Sequence, residues 1–231
     1  MENILMLMIG VSIFLVFIVI AAFIWGFKNR QFSENKGFLE LNDSEEALQD
    51  AIILENRKKE LKNPKKALFL DRDGVINRDL SYVYELEKLE FMPNIFEIVK
   101  FFYDKGYLIF IITNQSGVGR GYFSEEQMNI FNNAIIKEFS NHQINIAKIY
   151  ACLHTPNDNC ECRKPKAGMI IKACKEFNID LANSIFIGDK PSDMQAAFNA
   201  NIKNRYLFSD NENYENAKKI SDLLDIKKDF L

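Results

Sequence analysis

Two carboxylates one residue apart, Asp71 and Asp73, follow the apolar run Ala67-Leu-Phe-Leu70 and lead into Gly74-Val75. A strand that ends this way sets an attacking carboxylate beside an acid/base partner at its carboxyl edge. Taken alone, the pair also fits ordinary turn formers. Three further segments supply what such chemistry needs. The run Tyr107 to Ile112 ends in Thr113-Asn114-Gln115-Ser116-Gly117, whose hydroxyl, amide and N–H donors suit phosphate oxygens at a strand-to-helix turn. Arg163-Lys164-Pro165 places a cationic pair just before an amphipathic segment. Ser184-Ile-Phe-Ile-Gly-Asp189-Lys190-Pro-Ser-Asp193 ends another apolar run in carboxylates, which are hard oxygen ligands for a divalent cation. A carboxylate can attack a dianionic phosphate only where a metal ion and a cation offset the repulsion, and these segments offer both.

A second cluster is Cys152-Leu-His154-Thr-Pro-Asn-Asp-Asn-Cys160-Glu-Cys162, which holds three of the four cysteines and one of the two histidines. Three thiolates and one imidazole at this spacing match a closed, structural zinc site. A loop with small buried thiols or a disulfide is the competing reading, which the CxH and CxC pairs fit poorly. Cys174 falls on a helical pattern and reads as core packing, and His142 as a surface residue near a helix end. The zinc loop runs directly into Arg163-Lys164, so a bound metal would stiffen the segment that carries both cations. Zinc thiolates and a lone Cys174 suit a reducing compartment better than a disulfide scaffold does.

These groups need a frame. Apolar runs at Ala67 to Leu70, Tyr107 to Ile112, Ile146 to Cys152, Ser184 to Ile187 and Tyr206 to Phe208 predict strands. Between them Asn94 to Lys105, Ser124 to Ser140, Lys166 to Phe177 and Ser192 to Ala200 predict helices, with Ser124-x-x-Gln127 as a capping box and Glu212 to Lys227 as a final helix. The alternation predicts an α/β fold, a Rossmann-like parallel sheet with helices on both faces. Its reactive groups fall at strand carboxyl ends, where open sheets bind ligands. No insertion is long enough for a large cap. The net charge of −3 gives no footprint for nucleic acid.

With these motifs in order, the chain resembles the haloacid dehalogenase-like phosphatases, Mg2+-dependent phosphoric monoester hydrolases. The resemblance implies that Asp71 is the nucleophile of an aspartyl-phosphate, and that Asp73 protonates the leaving oxygen and then activates water. It implies Mg2+ held by Asp71, the Asp73 main-chain carbonyl and Asp189, phosphoryl contacts from Thr113 and Lys164, and Asp193 outside the ligand set. The stretches LDRDGVIN, TNQSGVGRG, CxH...CxCRKP and GDKPSDMQAA, spanning about Lys65 to Phe208, are similar to the zinc-containing, cap-poor branch of heptose-bisphosphate 7-phosphatases and histidinol-phosphatases. In that branch the zinc ligands would be Cys152, His154, Cys160 and Cys162. The substrate contacts would be Arg72 with its two flanking aspartates, Asp79, Leu80, Ser81, Tyr82, Thr113, Asn114, Gln115, Ser116, Arg163, Lys164 and Lys190. The five-residue gap between His154 and Cys160 resembles the histidinol enzymes; Asn77-Arg-Asp79-Leu-Ser-Tyr82 and GDKPSDMQAA resemble the heptose enzymes, which supply nucleotide-activated heptose for lipopolysaccharide and surface glycans. The expected reaction is therefore removal of the 7-phosphate, with histidinol phosphate as the alternative substrate.

The amino terminus is separate in character. Ile4 to Phe27 carries no charged residue, and at about 1.5 Å per residue it would span a bilayer of roughly 30 Å as a helix. A signal peptide or a buried core helix are the alternatives, but a basic leading region and a polar face are both missing. Lys28, Arg30 and Lys36 follow it, which predicts a single-pass anchor in the inner (cytoplasmic) membrane with the carboxyl-terminal part in the cytoplasm. Trp25-Gly-Phe-Lys-Asn-Arg-Gln-Phe and the acidic stretch after Leu39 resemble the small maturation proteins of cbb-type cytochrome oxidase over about Met1 to Glu55. That resemblance implies a fusion of two proteins, with oxidase assembly components as partners of the first. No copper ligand stands out, since Met6 and Met8 read as lipid-facing. Glu55 to Lys66 is a charged run, either a solvated linker or a stretch lying against anionic headgroups. The expected organisation is a membrane helix over 1–30, a linker over 31–64 and a phosphatase domain over 65–231 with its zinc loop at 152–162.

Overall fold

The computed structural model describes residues 16–21, 48–55 and 63–231. The chain divides into two compact units, Met1–Lys59 and Glu60–Leu231. In the first, residues 16–21 and 48–55 are helical, so the expected linker contains a helix. Among the described residues no helix is long and apolar enough to cross a membrane, and most of the expected span from Ile4 to Phe27 lies outside them.

The second unit is built on six parallel strands: β1 (Ala67–Leu70), β2 (Leu108–Asn114), β3 (Ile146–Cys152), β4 (Ile185–Gly188), β5 (Asn204–Phe208) and β6 (Lys218–Ile220). Their order is β3-β2-β1-β4-β5-β6, so the chain builds outward from β1 in both directions. Among the described residues five α-helices connect or flank them: α1 (Ile95–Asp104), the single turn α2 (Ser116–Gly119), α3 (Glu125–Asn141), α4 (Gly168–Phe177) and α5 (Pro191–Asn199).

Two cores form because side chains alternate across a strand. Leu68 and Leu70 face the layer of Ile98, Phe102, Phe131 and Ile135 from α1 and α3, together with Leu223 and Ile226. Ala67 and Phe69 face Met169 and Ala173 of α4 and Met194 and Ala197 of α5. Phe69 lies at the centre of its layer, stacked on Phe110 at 5.4 Å and on Phe186 at 6.3 Å. Helix starts follow local chemistry. Ser124 accepts from the Gln127 N–H while Gln127 accepts from the Ser124 N–H, the expected capping box, and α5 begins on Pro191, whose missing N–H costs nothing there.

The expected helix from Glu212 to Lys227 does not form. Lys218–Ile220 instead extends the sheet beside β5, and a 3-10 helix follows at Leu223–Asp229. The Asn- and Asp-rich approach disfavours a helix, and the open edge of β5 offers hydrogen bonds. Asp222 then starts the 3-10 helix by accepting the Leu224 N–H. β2 runs two residues past its expected end, which puts Thr113 and Asn114 on the strand itself.

Phe69→Ala should lower stability by about 3–5 kcal/mol, since no neighbour on a central strand can collapse into the cavity. Urea unfolding of the full chain measures this; a change below about 1 kcal/mol would contradict the packing just described.

Candidate active site

β1, β2 and β4 end side by side, and their last residues carry the reactive groups. Asp71 continues β1, its N–H donating to Ile187 O at 3.0 Å. Its carboxylate meets the Lys164 ammonium at 2.6 Å, and the same ammonium reaches Asp193 at 2.6 Å and donates to Ile112 O at 2.8 Å. Asp71, Lys164 and Asp193 are all buried. Burial pushes the Asp71 carboxyl upward; Lys164 counters this and Asp193 adds to it. Burial works against the Lys164 charge, but Asp193 and Asp71 together hold its pKa above the ordinary lysine value.

Asp73 sits beside this pair in a frame of donors. Arg72 reaches both its carboxylate oxygens, Nε to Oδ1 at 3.1 Å and Nη2 to Oδ2 at 3.0 Å. Asn77 donates to Oδ1 at 2.9 Å and Gln115 to Oδ2 at 2.9 Å. Gly74, at φ +92°, is required twice over: the backbone is left-handed, and a Cβ would strike the Asp189 carboxylate.

Several residues expected to touch substrate turn out to hold other site residues. The Arg72 side chain is wholly buried, and its guanidinium turns to protein partners. Sequence reasoning placed it by its neighbours, but its planar fork is more strongly used against Asp73 than against solvent. Asn114 grips the Lys164 backbone from both sides, accepting its N–H at 3.1 Å and donating to its carbonyl at 3.1 Å. Gln115 donates to Thr113 Oγ1 at 2.8 Å as well as to Asp73. Arg163 turns toward the cysteine loop and donates to His154 O at 3.3 Å. Thr113 and Ser116 are buried at the β2 end.

The loop after β1 brings Asp79, Leu80, Ser81 and Tyr82 to the rim. Asp79 accepts from Lys190 Nζ at 2.7 Å and from the Ser81 N–H at 2.9 Å, and Lys190 is 3.5 Å from Asp189. Against the opposing effect of burial, the Lys190 hydrogen bond and the Ser81 N–H hold Asp79 below the usual carboxylate range. Ser81 and Tyr82 both have left-handed backbones, at φ 57° and 56°. Leu80 and Tyr82 are exposed, and Tyr82 meets Tyr122 edge-on at 4.9 Å.

Two groups of side chains have the chemistry of metal ligands. Oxygens of Asp71, Asp189 and Asp193 all lie within 4.8 Å of one another. Burial, followed by the Asp71 charge, pushes Asp189 up to about 8, and its Oδ1 is buried with no hydrogen-bond partner. Such an orphaned oxygen among crowded carboxylates fits a hard divalent cation. The ligand atoms of Cys152, His154, Cys160 and Cys162 likewise fall within 4.8 Å of one another. Cys162 Sγ is 3.1 Å from Cys152 Sγ and 3.4 Å from Cys160 Sγ, and His154 Nδ1 is 3.2 Å from Cys162 Sγ. All four cysteines are free, which removes the disulfide reading. These separations exceed an S–S bond of about 2.05 Å and suit thiolates around one ion. Without such an ion the thiols titrate apart, burial pushing Cys152 up to about 12. Cys160 falls to about 7, because the Arg163 N–H and the adjacent thiols outweigh the effect of burial. Cys174 stands apart, donating to Ile179 O.

Two residues to which the sequence reading gave no role, Asn77 and Asn132, complete the site together with Asp193. Asn77 and Asn132 support Asp73 and Arg72, and Asp193, expected outside the metal ligands, is the second partner of Lys164. Asn132 was visible as the one amide among Met128, Phe131 and Ile135 on the buried stripe of α3.

Comparison with known proteins agrees with this geometry. The family described as polynucleotide kinase 3 phosphatase matches residues 70–220, and the family described as cbb3-type cytochrome oxidase maturation protein matches residues 3–40. The chain is 48% identical over 168 residues to the D-glycero-alpha-D-manno-heptose-1,7-bisphosphate 7-phosphatase of Campylobacter jejuni, covering 71% of this chain and 96% of that protein. It is 46% identical over 153 residues to a D-glycero-beta-D-manno-heptose-1,7-bisphosphate 7-phosphatase of Helicobacter pylori, covering 64% and 87%. Among solved structures it is similar to the D,D-heptose 1,7-bisphosphate phosphatase of B. bronchiseptica complexed with magnesium and phosphate. That match has a TM-score of 0.65 and 26% identity, over 71% of this chain and 97% of that one. With aspartates, lysine and threonine at the strand ends and relatives this similar over most of their length, the chain belongs to the haloacid dehalogenase-like phosphatases, phosphoric monoester hydrolases among which the heptose-bisphosphate 7-phosphatases fall.

Proposed function

We propose that the Glu60–Leu231 unit hydrolyses the 7-phosphate of D-glycero-D-manno-heptose 1,7-bisphosphate, a step toward nucleotide-activated heptose for surface glycans. The observation that carries the chemistry is Asp71 held at 2.6 Å from a buried lysine with Asp73 framed beside it. An Asp71 oxygen attacks phosphorus, the bond from phosphorus to the sugar oxygen breaks, and Asp73 gives that oxygen a proton. Water then attacks the aspartyl-phosphate, Asp73 takes its proton, and inorganic phosphate leaves with the Asp71 carboxylate restored. Lys164, Thr113 and the main-chain N–H groups after β2 hold the phosphoryl oxygens. Asp71, Asp189 and the Asp73 main-chain carbonyl would hold Mg2+, which when bound offsets the repulsion between carboxylate and phosphate. The relatives favour the heptose substrate over histidinol phosphate, the alternative raised by the short cysteine loop.

With Mg2+ present, the full chain should release phosphate from the heptose bisphosphate with kcat/KM at least about 100-fold above that for histidinol phosphate. Asp71→Asn should lower this rate more than about 1,000-fold while leaving the unfolding midpoint near that of wild type. Equal rates on the two phosphates would overturn the substrate assignment, and near-normal turnover by Asp71→Asn the covalent route.

Cys152, His154, Cys160 and Cys162 are assigned to one structural zinc ion that stiffens the loop ending in Lys164. Metal analysis of the purified protein should find about one zinc per chain. Cys160→Ser should lose most of it and lower the unfolding midpoint and substrate affinity more than kcat. A wild-type protein free of zinc contradicts this assignment.

Residues 4–27 are assigned to a single-pass membrane anchor with the phosphatase unit on the cytoplasmic side, supported by their lack of charge and by the oxidase-maturation match over 3–40. That match makes oxidase assembly components candidate partners of this segment. Removing residues 1–30 should move the protein from the detergent-extracted to the soluble fraction with phosphatase activity within about twofold of the full chain. Full-length protein recovered without detergent overturns the anchor.

A further inference from the structure

Arg72 has no exposure at all, although it stands between the two carboxylates of the reaction. All of its directional contacts point inward. Two of its nitrogens hold Asp73, Nη1 donates to Asn132 Oδ1 at 3.1 Å, Nη2 donates also to Val83 O at 3.1 Å, and its guanidinium lies over the Phe131 ring at 4.9 Å. The back of the fork is thus clamped by α3 and the loop after β1, and its front grips one edge of the Asp73 carboxylate. Asn77 and Gln115 donate to the same two oxygens, and Asp73 still keeps 19% of its side chain exposed.

A buried ion pair between neighbouring residues is a weak source of stability, because desolvation offsets most of the attraction. What a fork does well is fix the plane of a carboxylate, which a lysine point charge cannot do. We propose that Arg72 is a positioning residue: braced by Asn132, it sets the orientation of Asp73 for both proton transfers. The inference rests on the reading of Asp73 as the acid/base group. Asp73 delivers a proton to the sugar oxygen in the first step and receives one from water in the second, and an error of about 1 Å in its placement is enough to cost 100-fold.

The test is Arg72→Lys, which keeps the charge and loses the fork, assayed with the heptose bisphosphate and with p-nitrophenyl phosphate in the presence of Mg2+. Arg72→Lys should lower kcat on the sugar phosphate about 100-fold with KM changed less than about threefold. On p-nitrophenyl phosphate, whose leaving group needs no proton, it should give a burst of one p-nitrophenolate per site and then slow turnover, where wild type gives a linear trace. Asn132→Ala, which leaves the Arg72–Asp73 pair intact, should reproduce the burst with about a tenfold fall in kcat, and it decides the question should Arg72→Lys not fold. Variants with wild-type kcat overturn the inference. So does a fall in both substrates alike without a burst, which is what a merely structural role produces. Should wild type itself hydrolyse none of these phosphates, the proposed function falls and the inference with it; active wild type matched by both variants sinks the inference alone.

Discussion

The site depends on one buried cation. Lys164 reaches Asp71 and Asp193 at 2.6 Å each and the carbonyl of Ile112 at 2.8 Å, so a single ammonium ties together the ends of β1 and β2 and the first turn of α5. None of the three segments is adjacent to another in sequence; the parallel sheet brings them together, and the lysine then balances carboxylates that would otherwise repel. A third carboxylate, Asp189, has Lys190 at 3.5 Å, yet burial followed by the Asp71 charge still pushes it up to about 8. The crowding is therefore arranged for a further positive charge.

Lys164 can do this only if the loop that carries it is fixed. Two devices share that task. Asn114, on the last residue of β2, makes paired hydrogen bonds with the Lys164 backbone, while the thiols and imidazole of the preceding loop converge on a common centre. The first device acts at the lysine and the second a few residues before it.

The sheet and most helices were legible because each rests on local periodicity: Leu68 and Leu70 on one face, Ala67 and Phe69 on the other, with apolar stripes on α1 and α4 to match. The meeting of the strand-end carboxylates was legible for a related reason, since their spacing along each strand end is fixed by the strand itself. What periodicity does not encode is where a polar side chain turns. Arg72, Asn114 and Gln115 lie within the motifs yet face protein partners, and their choice is made by groups 42 to 60 residues distant, such as Asn132 to Arg72 and Gln115 to Asp73. The carboxyl terminus was misread because the pairing of Lys218–Ile220 depends on the free edge of β5, a long-range term that outweighs a modest helix propensity.

The rim follows from the same division of labour. With the carboxylates and Lys164 fixed at the strand ends, contacts to whatever leaves with the sugar oxygen have to come from the loops that rise beyond β1 and β2. Those loops are locked to each other by Tyr84 stacked on Phe123 at 4.9 Å, while the Tyr82–Tyr122 pair lies outside it with both rings exposed. Phe123 in turn lies against Gly117, where a Cβ would collide with its ring, so the loop is seated on the turn that follows Thr113. The consecutive left-handed residues Ser81 and Tyr82 are held by the Asp79 side chain, itself paired with Lys190 beside Asp189. Backbone strain of this kind persists only where its surroundings over-determine it. Here the surroundings are the Asp79–Lys190 pair beside Asp189, so the rim loop is positioned from the carboxylate cluster at the strand ends.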